Sequence, residues 1–312
     1  MSFPPAWLRR ETSALALLTA EKRFTHPWVG DPRLNRWGQH VARIGLSNVC
    51  AAARRLTCGG LSDATVRRVM ADGIAVLPDL LAPETYARVR EEARSRLEEV
   101  ERRRPIESLG DRGFGPRHPF EGGFDRWDGG TLNRFVAVDE SLPSTAALAK
   151  DLARLGGRAA GALRHPERVW LYETVFQETA GNRDPQKTLH RDTFHTSIKL
   201  WYFIDEVREA DGPFEYAVGS HRMSRARLRW EHGEAIARSN PKAKVRGGAF
   251  RISEAALRRL GMPAPTRFPV AGNTLILADV RGFHRRGDGE PGARRLALHA
   301  SLRPSPFVPV PY

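Results

Sequence analysis

The chain has 312 residues, 41% apolar and 28% charged, with 50 basic against 36 acidic side chains and a formal net charge of +14. Seven Trp, fourteen Phe and five Tyr exclude an intrinsically disordered chain, and no apolar window is long enough to cross a bilayer. Cys50 and Cys58, the only cysteines, make neither a disulfide framework nor a four-thiolate zinc site, so a reduced, cytoplasmic protein is expected.

Residues 1–60 read as a mostly helical N-terminal extension, and 61–312 as the main domain. The apolar run Ala14–Ala20 is short, is preceded by Arg9, Arg10 and Glu11, and has no small-residue cleavage site after it, so it does not read as a signal peptide. His26–Arg36 is turn-rich. Ser62-Asp63 caps a short helix over Ala64–Ala71, and Ile74–Leu77 follows as a strand. Pro83 then opens a second helix, whose apolar face is Tyr86, Val89, Ala93, Leu97 and Val100. Glu107–Leu132, rich in Gly and aromatic residues and without periodicity, reads as a long loop or lid.

From Val169 the segments become β-like. Val169–Thr179, His195–Asp205, Phe214–Val218, Thr274–Val280 and Arg295–Leu302 are rich in aromatic and branched residues and are bounded by turn clusters. A helical insert over Arg225–Ala237 interrupts them. Short strands without long intervening helices predict an antiparallel α+β fold, a jelly roll with a helical N-terminal layer.

The basic excess is concentrated in His221–Leu260, with eleven Arg or Lys against three Glu. On an exposed insert such charge would draw anionic partners, and it leaves peripheral membrane contact open. No zinc-finger spacing, RNA-binding aromatic motif or heptad accompanies it, so no nucleic-acid partner is expected.

The chemistry-bearing pattern is His190-Arg191-Asp192, just before a strand. Alternation brings His190 and Asp192 to one side, giving two of the three ligands of a facial Fe(II) triad; His284, after the strand Thr274–Val280, is the candidate third. The kinase reading of His-Arg-Asp fails, because Ser197 stands where that loop needs Asn and no phosphate loop accompanies it. Arg294 and Arg295 enter the last strand, where an inward Arg could pair bidentately with a carboxylate.

These residues, with Asp72-Gly73, Asp211-Gly212-Pro213, Gly219-Ser220-His221 and Gly282-Phe283-His284, resemble the phytanoyl-CoA dioxygenase family of Fe(II)/2-oxoglutarate-dependent oxygenases over about Leu61–Leu302. The resemblance implies a double-stranded β-helix (jelly roll) core, iron on His190, Asp192 and His284, and the distal carboxylate of 2-oxoglutarate on Arg295. Arg294 is the alternative anchor, since a one-residue slip turns the face over. Arg286 replaces the small hydroxyl residue common two positions after the second His, and either shares the co-substrate carboxylate or is solvated.

Gln177 and Lys187 are weaker co-substrate candidates. Lys199, in an otherwise apolar strand, needs a partner and is a candidate for an anionic contact. His195 has the wrong parity for the site, His299 the right one, and Trp201 reads as core. The function expected is hydroxylation of a small-molecule substrate, one bearing phosphate or carboxylate groups if the basic charge is functional. The alternatives are a nucleic-acid demethylase of the same chemistry and a non-catalytic basic binding module on a degenerate barrel.

Overall fold

In the computed structural model, residues 13–58, 62–106, 115–163, 168–177 and 184–311 are described. The N-terminal part holds a 3-10 turn (Ala14–Leu18), a short helix α1 (Pro32–Arg36) and the long helix α2 (Gln39–Thr57). Helix α1 lies inside the stretch read as turns: Asp31 caps it and Pro32 opens it. Helix α3 (Ala64–Asp72), β1 (Ile74–Leu77) and α4 (Pro83–Arg103) follow as the sequence predicts. The Asp63 carboxylate accepts from the N–H groups of Thr65 and Val66. Gly73 closes α3 with φ 82°, and a Cβ there would lie 2.3 Å from the Tyr216 hydroxyl.

The segment expected to be a loop is instead sheet from Arg117 onward. Strands β2 (Arg117–Phe120), β3 (Gly123–Trp127) and β4 (Thr131–Ala137) form an antiparallel meander; residues 107–114 of that segment lie outside the described ones. The apolar alternation was hidden because this meander buries charge. Arg134 pairs with Asp125 at 3.0 Å and Glu101 at 2.6 Å, and Arg104 reaches Asp125 at 2.6 Å.

Helix α5 (Pro143–Ala160) comes next, then β5 (Trp170–Phe176), β6 (His190–Arg191), β7 (Ile198–Phe203) and β8 (Phe214–Tyr216). Helix α6 (Arg225–Ser239), β9 (Phe250–Arg251), α7 (Glu254–Arg259) and β10 (Thr266–Phe268) lead to β11 (Thr274–Asp279), β12 (His284–Arg286) and β13 (Arg294–Leu302).

The strands form an eight-stranded sheet, β1-β11-β7-β13-β5-β4-β3-β2, and a five-stranded sheet, β10-β8-β12-β6-β9. Together they are the jelly roll. Period-two alternation assigns the faces of the larger sheet. Leu200 and Tyr202 of β7, Leu275 and Leu277 of β11, and Leu298, Ala300 and Leu302 of β13 join Val66, Val89, Ala93 and Leu152 in the core beneath α3, α4 and α5. The intervening residues, among them Phe203, Ile276, Ala278 and Ala297, meet Phe214 and Tyr216 of the smaller sheet. The same parity turns Lys199, Trp201, Arg295 and His299 inward.

Helix α6 is not an exposed insert. Arg227 and Glu231 are fully buried, and Glu231 pairs with Arg191 at 2.6 Å, Arg227 at 2.9 Å and His40 at 3.1 Å. Glu231 thus ties α6 to β6 through Arg191 and to α2 through the His40 imidazole. Burial alone would raise the Glu231 pKa, but the two guanidinium groups outweigh it and hold the carboxylate well below its usual range. Arg43 of α2 donates to the carbonyls of Leu17, Thr19 and Glu21. Lys22, next in this segment, donates to the carbonyl of Asp192. Among the described residues, no helix is long and apolar enough to cross a membrane.

Candidate metal centre and cavity

His190 on β6 and His284 on β12 are cross-strand partners, with ring centroids 4.5 Å apart. His284 follows β11, as expected, and itself opens the short strand β12. Asp192 follows β6, and its N–H donates to the carbonyl of Val280 at 2.9 Å. Its Oδ1 lies 3.4 Å from His190 Nε2 and 3.8 Å from His284 Nε2, and all three ligand atoms lie within 4.8 Å of one another.

The residues fit a divalent metal beyond mere proximity. His190 Nδ1 is 2.7 Å from the Thr188 carbonyl and His284 Nδ1 is 2.9 Å from the Gly282 carbonyl. A carbonyl only accepts, so each Nδ1 carries the proton and each Nε2 offers its lone pair to the same point. Burial, with His190 alongside, lowers the His284 pKa to about 3, keeping it neutral. Burial would raise the Asp192 carboxyl, but the Lys199 ammonium beside it outweighs that and holds it well below the usual range. Two imidazoles on paired strands and a carboxylate just past β6 match the facial triad for non-haem Fe(II).

His190 and His284 line a cavity of about 470 Å³ between the sheets, which Arg295, Arg286, Lys199, Trp201 and His299 also line. Arg295 is 9% exposed. It donates to the Gly212 carbonyl, and among the described residues its Nε has no hydrogen-bond partner and no carboxylate lies within ion-pair distance, Asp184 and Asp211 acting on it only from farther off. Burial and the neighbouring Arg286 push its pKa down to about 10, the mark of a desolvated cation short of an anion.

The other candidates separate. Arg294 has the opposite parity, points out of the cavity and pairs with Glu173 at 3.4 Å, so it is not placed to anchor a ligand there. Arg286 is neither solvated nor free: it pairs with Asp184 at 2.6 Å and Asp128 at 3.4 Å and bonds Asn133 at 2.8 Å. Gln177 does not line the cavity; its backbone N–H donates to the Gly130 carbonyl at 2.8 Å, just past the pairing of β5 with β4. Lys187 pairs with Asp288 at 3.1 Å, outside the cavity.

Lys199 does line it, and its partner is Asp192, with Nζ 2.6 Å from Oδ2. His195 is buried off the cavity, as its parity predicts. His299 is in the wall, and Trp201, packed against the apolar cluster of the smaller sheet as its core reading implies, also lines the cavity, stacked on His299 at 5.2 Å. The sequence reading missed Arg117 and Arg126, hidden in the segment taken for a loop, and Ser301 and Arg303, which continue the Arg295 parity along β13 and just past it. It also missed Lys22.

No curated protein sequence matches the chain. Solved structures with a similar course include the epimerase SnoN from nogalamycin biosynthesis in complex with Fe3+, alpha ketoglutarate and nogalamycin RO. That likeness is 18% identity over 76% of this chain and 82% of that one, TM-score 0.44. AviO1 from Streptomyces viridochromogenes gives 20% identity over 77% and 94%, TM-score 0.43. HygX from Streptomyces hygroscopicus, with nickel and 2-oxoglutarate bound, gives 18% over 77% and 86%, TM-score 0.39. Likeness at this level says nothing of the substrate.

The family model for phytanoyl-CoA dioxygenase matches residues 69–246, more than half of the 312, and includes His190 and Asp192. His284 and Arg295 lie beyond that match, and the pairing of β12 with β6 and of β13 with β7 brings them to the same cavity. The chain belongs to the phytanoyl-CoA dioxygenase family and is a non-haem Fe(II)/2-oxoglutarate-dependent oxygenase.

Proposed function

We propose that His190, Asp192 and His284 hold Fe(II), that Arg295 anchors 2-oxoglutarate by its distal carboxylate, and that the enzyme hydroxylates a small-molecule substrate. The observation that carries this is Arg295: a buried guanidinium, without an ion-pair partner among the described residues, in the same cavity as the two imidazoles. Bound iron supplies the redox chemistry, in which O2, 2-oxoglutarate and R–H give R–OH, succinate and CO2.

The chain's own residues do the positioning. The Thr188 and Gly282 carbonyls fix the two imidazole tautomers. Lys199 holds Oδ2 of Asp192, so that Oδ1 alone faces the histidines. Arg286 is already neutralised by Asp184 and Asp128, which leaves Arg295 as the cation without an ion-pair partner among the described residues at its end of the cavity. Trp201, Phe214 and Tyr172 wall the cavity with rings and exclude water from the reacting carbon. A metal-ligating carboxylate favours hydroxylation over halogenation, where that position must accept a halide.

The cavity lining, rich in Arg and without Asp or Glu among the described residues, supports a substrate bearing phosphate or carboxylate groups. Free Cys50 and Cys58 support a reducing compartment. We propose no nucleic-acid partner: Arg227 and Arg238 of the basic segment are buried in ion pairs, and its exposed Arg and Lys come with no recognition module. The test is anaerobic addition of Fe(II) and then 2-oxoglutarate. A weak visible charge-transfer band is expected in wild type and not in His284→Ala; a band of equal strength in the variant would overturn the ligand assignment.

A further inference from the structure

The cavity wall is a run of rings that ends at the iron ligands. Phe124 meets Trp170 edge-on at 5.3 Å. Trp170 is the cross-strand partner of His299, which stacks on Trp201 at 5.2 Å. Trp201 lies 4.8 Å from Phe214, and Phe214 lies 5.8 Å from His284. All six line the one cavity.

At the far end of this run two guanidinium groups flank the first pair of rings. The Arg117 guanidinium sits 4.6 Å over Phe124, and that of Arg168 sits 5.9 Å from Trp170. Both side chains are exposed, and neither has a carboxylate within ion-pair distance among the described residues. Of the other arginines of the lining, Arg126 is 2.9 Å from Asp128, Arg285 is 2.6 Å from Glu215 and Arg303 is 3.8 Å from Asp192, while Arg295 is buried and taken by the proposed co-substrate contact. Stacking on a ring holds a guanidinium in place without neutralising it, so its N–H edge stays ready for an anion.

We propose that the substrate has a ring-bearing body and an anionic group at the end remote from the reacting carbon. The body lies along the run from Phe124 and Trp170 to Trp201, and the anionic group, phosphate, sulfate or carboxylate, is held at Arg117 and Arg168. Offset or edge contacts with the wall favour flat rings over a flexible chain. The two arginines then act as specificity residues and fix which end of the substrate reaches the metal. This inference rests on the proposed function, because the metal defines the reacting end.

The experiment is calorimetric titration of the anaerobic protein, loaded with Fe(II) and 2-oxoglutarate, with three probes. 1-Naphthyl phosphate should bind about tenfold or more tightly than either 1-naphthol or inorganic phosphate, a step of about 1.4 kcal/mol. In Arg117→Gln/Arg168→Gln the preference over 1-naphthol should vanish, while the charge-transfer band stays at wild-type strength. No binding of 1-naphthyl phosphate, equal affinity for 1-naphthol, equal affinity for inorganic phosphate, or a preference that survives the double substitution would each overturn the substrate class. Any of these with the band intact in wild type leaves the iron and 2-oxoglutarate reading standing. An absent band in wild type would overturn that reading instead.

Discussion

Lys199 Nζ lies 2.6 Å from Asp192 Oδ2, on the side of the carboxylate turned away from His190 and His284. The lysine serves as the cation for a buried carboxylate before any metal arrives. Replacing it with Met leaves that charge poorly balanced, which in a buried pair costs about 3 kcal/mol or more. The metal-free Lys199→Met protein should therefore melt earlier than wild type, and Mn(II), an air-stable stand-in for Fe(II), should raise its melting temperature by more than it raises that of wild type. Equal shifts would mean that Lys199 has no part in balancing Asp192.

Glu231 is the shared partner of Arg191 and Arg227, all three buried. Glu231→Gln leaves two guanidinium groups facing a neutral amide, and stability should fall by about 3–5 kcal/mol, read as a lower urea midpoint at unchanged slope. Exposed Arg229, on the same helix, should change stability by less than about 0.5 kcal/mol when replaced with Gln. A mild Glu231→Gln would show that α6 is held by packing alone.

Acid should weaken the fold through the same carboxylate. Both Glu231 and Asp279, paired with Arg281 at 2.6 Å, have folded pKa values below their ordinary 4.5 and 3.8. A depressed folded pKa means that the unfolded chain binds more protons, so stability rises with pH across that window. The contribution should be fully present above about pH 5 and fall away as pH drops through 4 and below. Urea midpoints between pH 3 and 7 measure it. Glu231→Gln should flatten the acid limb, and an unchanged limb would place the titration elsewhere.

The jelly-roll class was legible in the sequence, but only some of its strands were. His190, Asp192 and His284 could be singled out because metal ligation demands particular residue types, whereas Arg295 came from the family resemblance and left Arg294 open, because a one-residue slip in register reverses the face. Strands β2 to β4 were not legible. They bury Asp125, Asn133 and Arg134, so the alternation that marks a half-buried strand is missing and the glycines read as loop. Arg227 misled for the related reason that a charge buried by its i+4 partner looks like surface in one dimension. That Trp201 also lines the cavity was not legible, because nothing in a strand's own sequence says whether its inner face meets packed side chains or a cavity.

The account turns on Arg295, and the most direct measurement is a 2-oxoglutarate titration of the anaerobic Fe(II) protein, followed by its charge-transfer band. Removing the guanidinium in Arg295→Gln takes away a charge-assisted pair in a closed pocket, worth about 2–5 kcal/mol, or about thirty-fold and upward in affinity. Arg295→Lys should recover only part of this, because a point charge lacks the planar fork, and Arg294→Gln should be near wild type. Iron binding should survive all three. An unchanged affinity in Arg295→Gln, or a large loss confined to Arg294→Gln, would contradict the account.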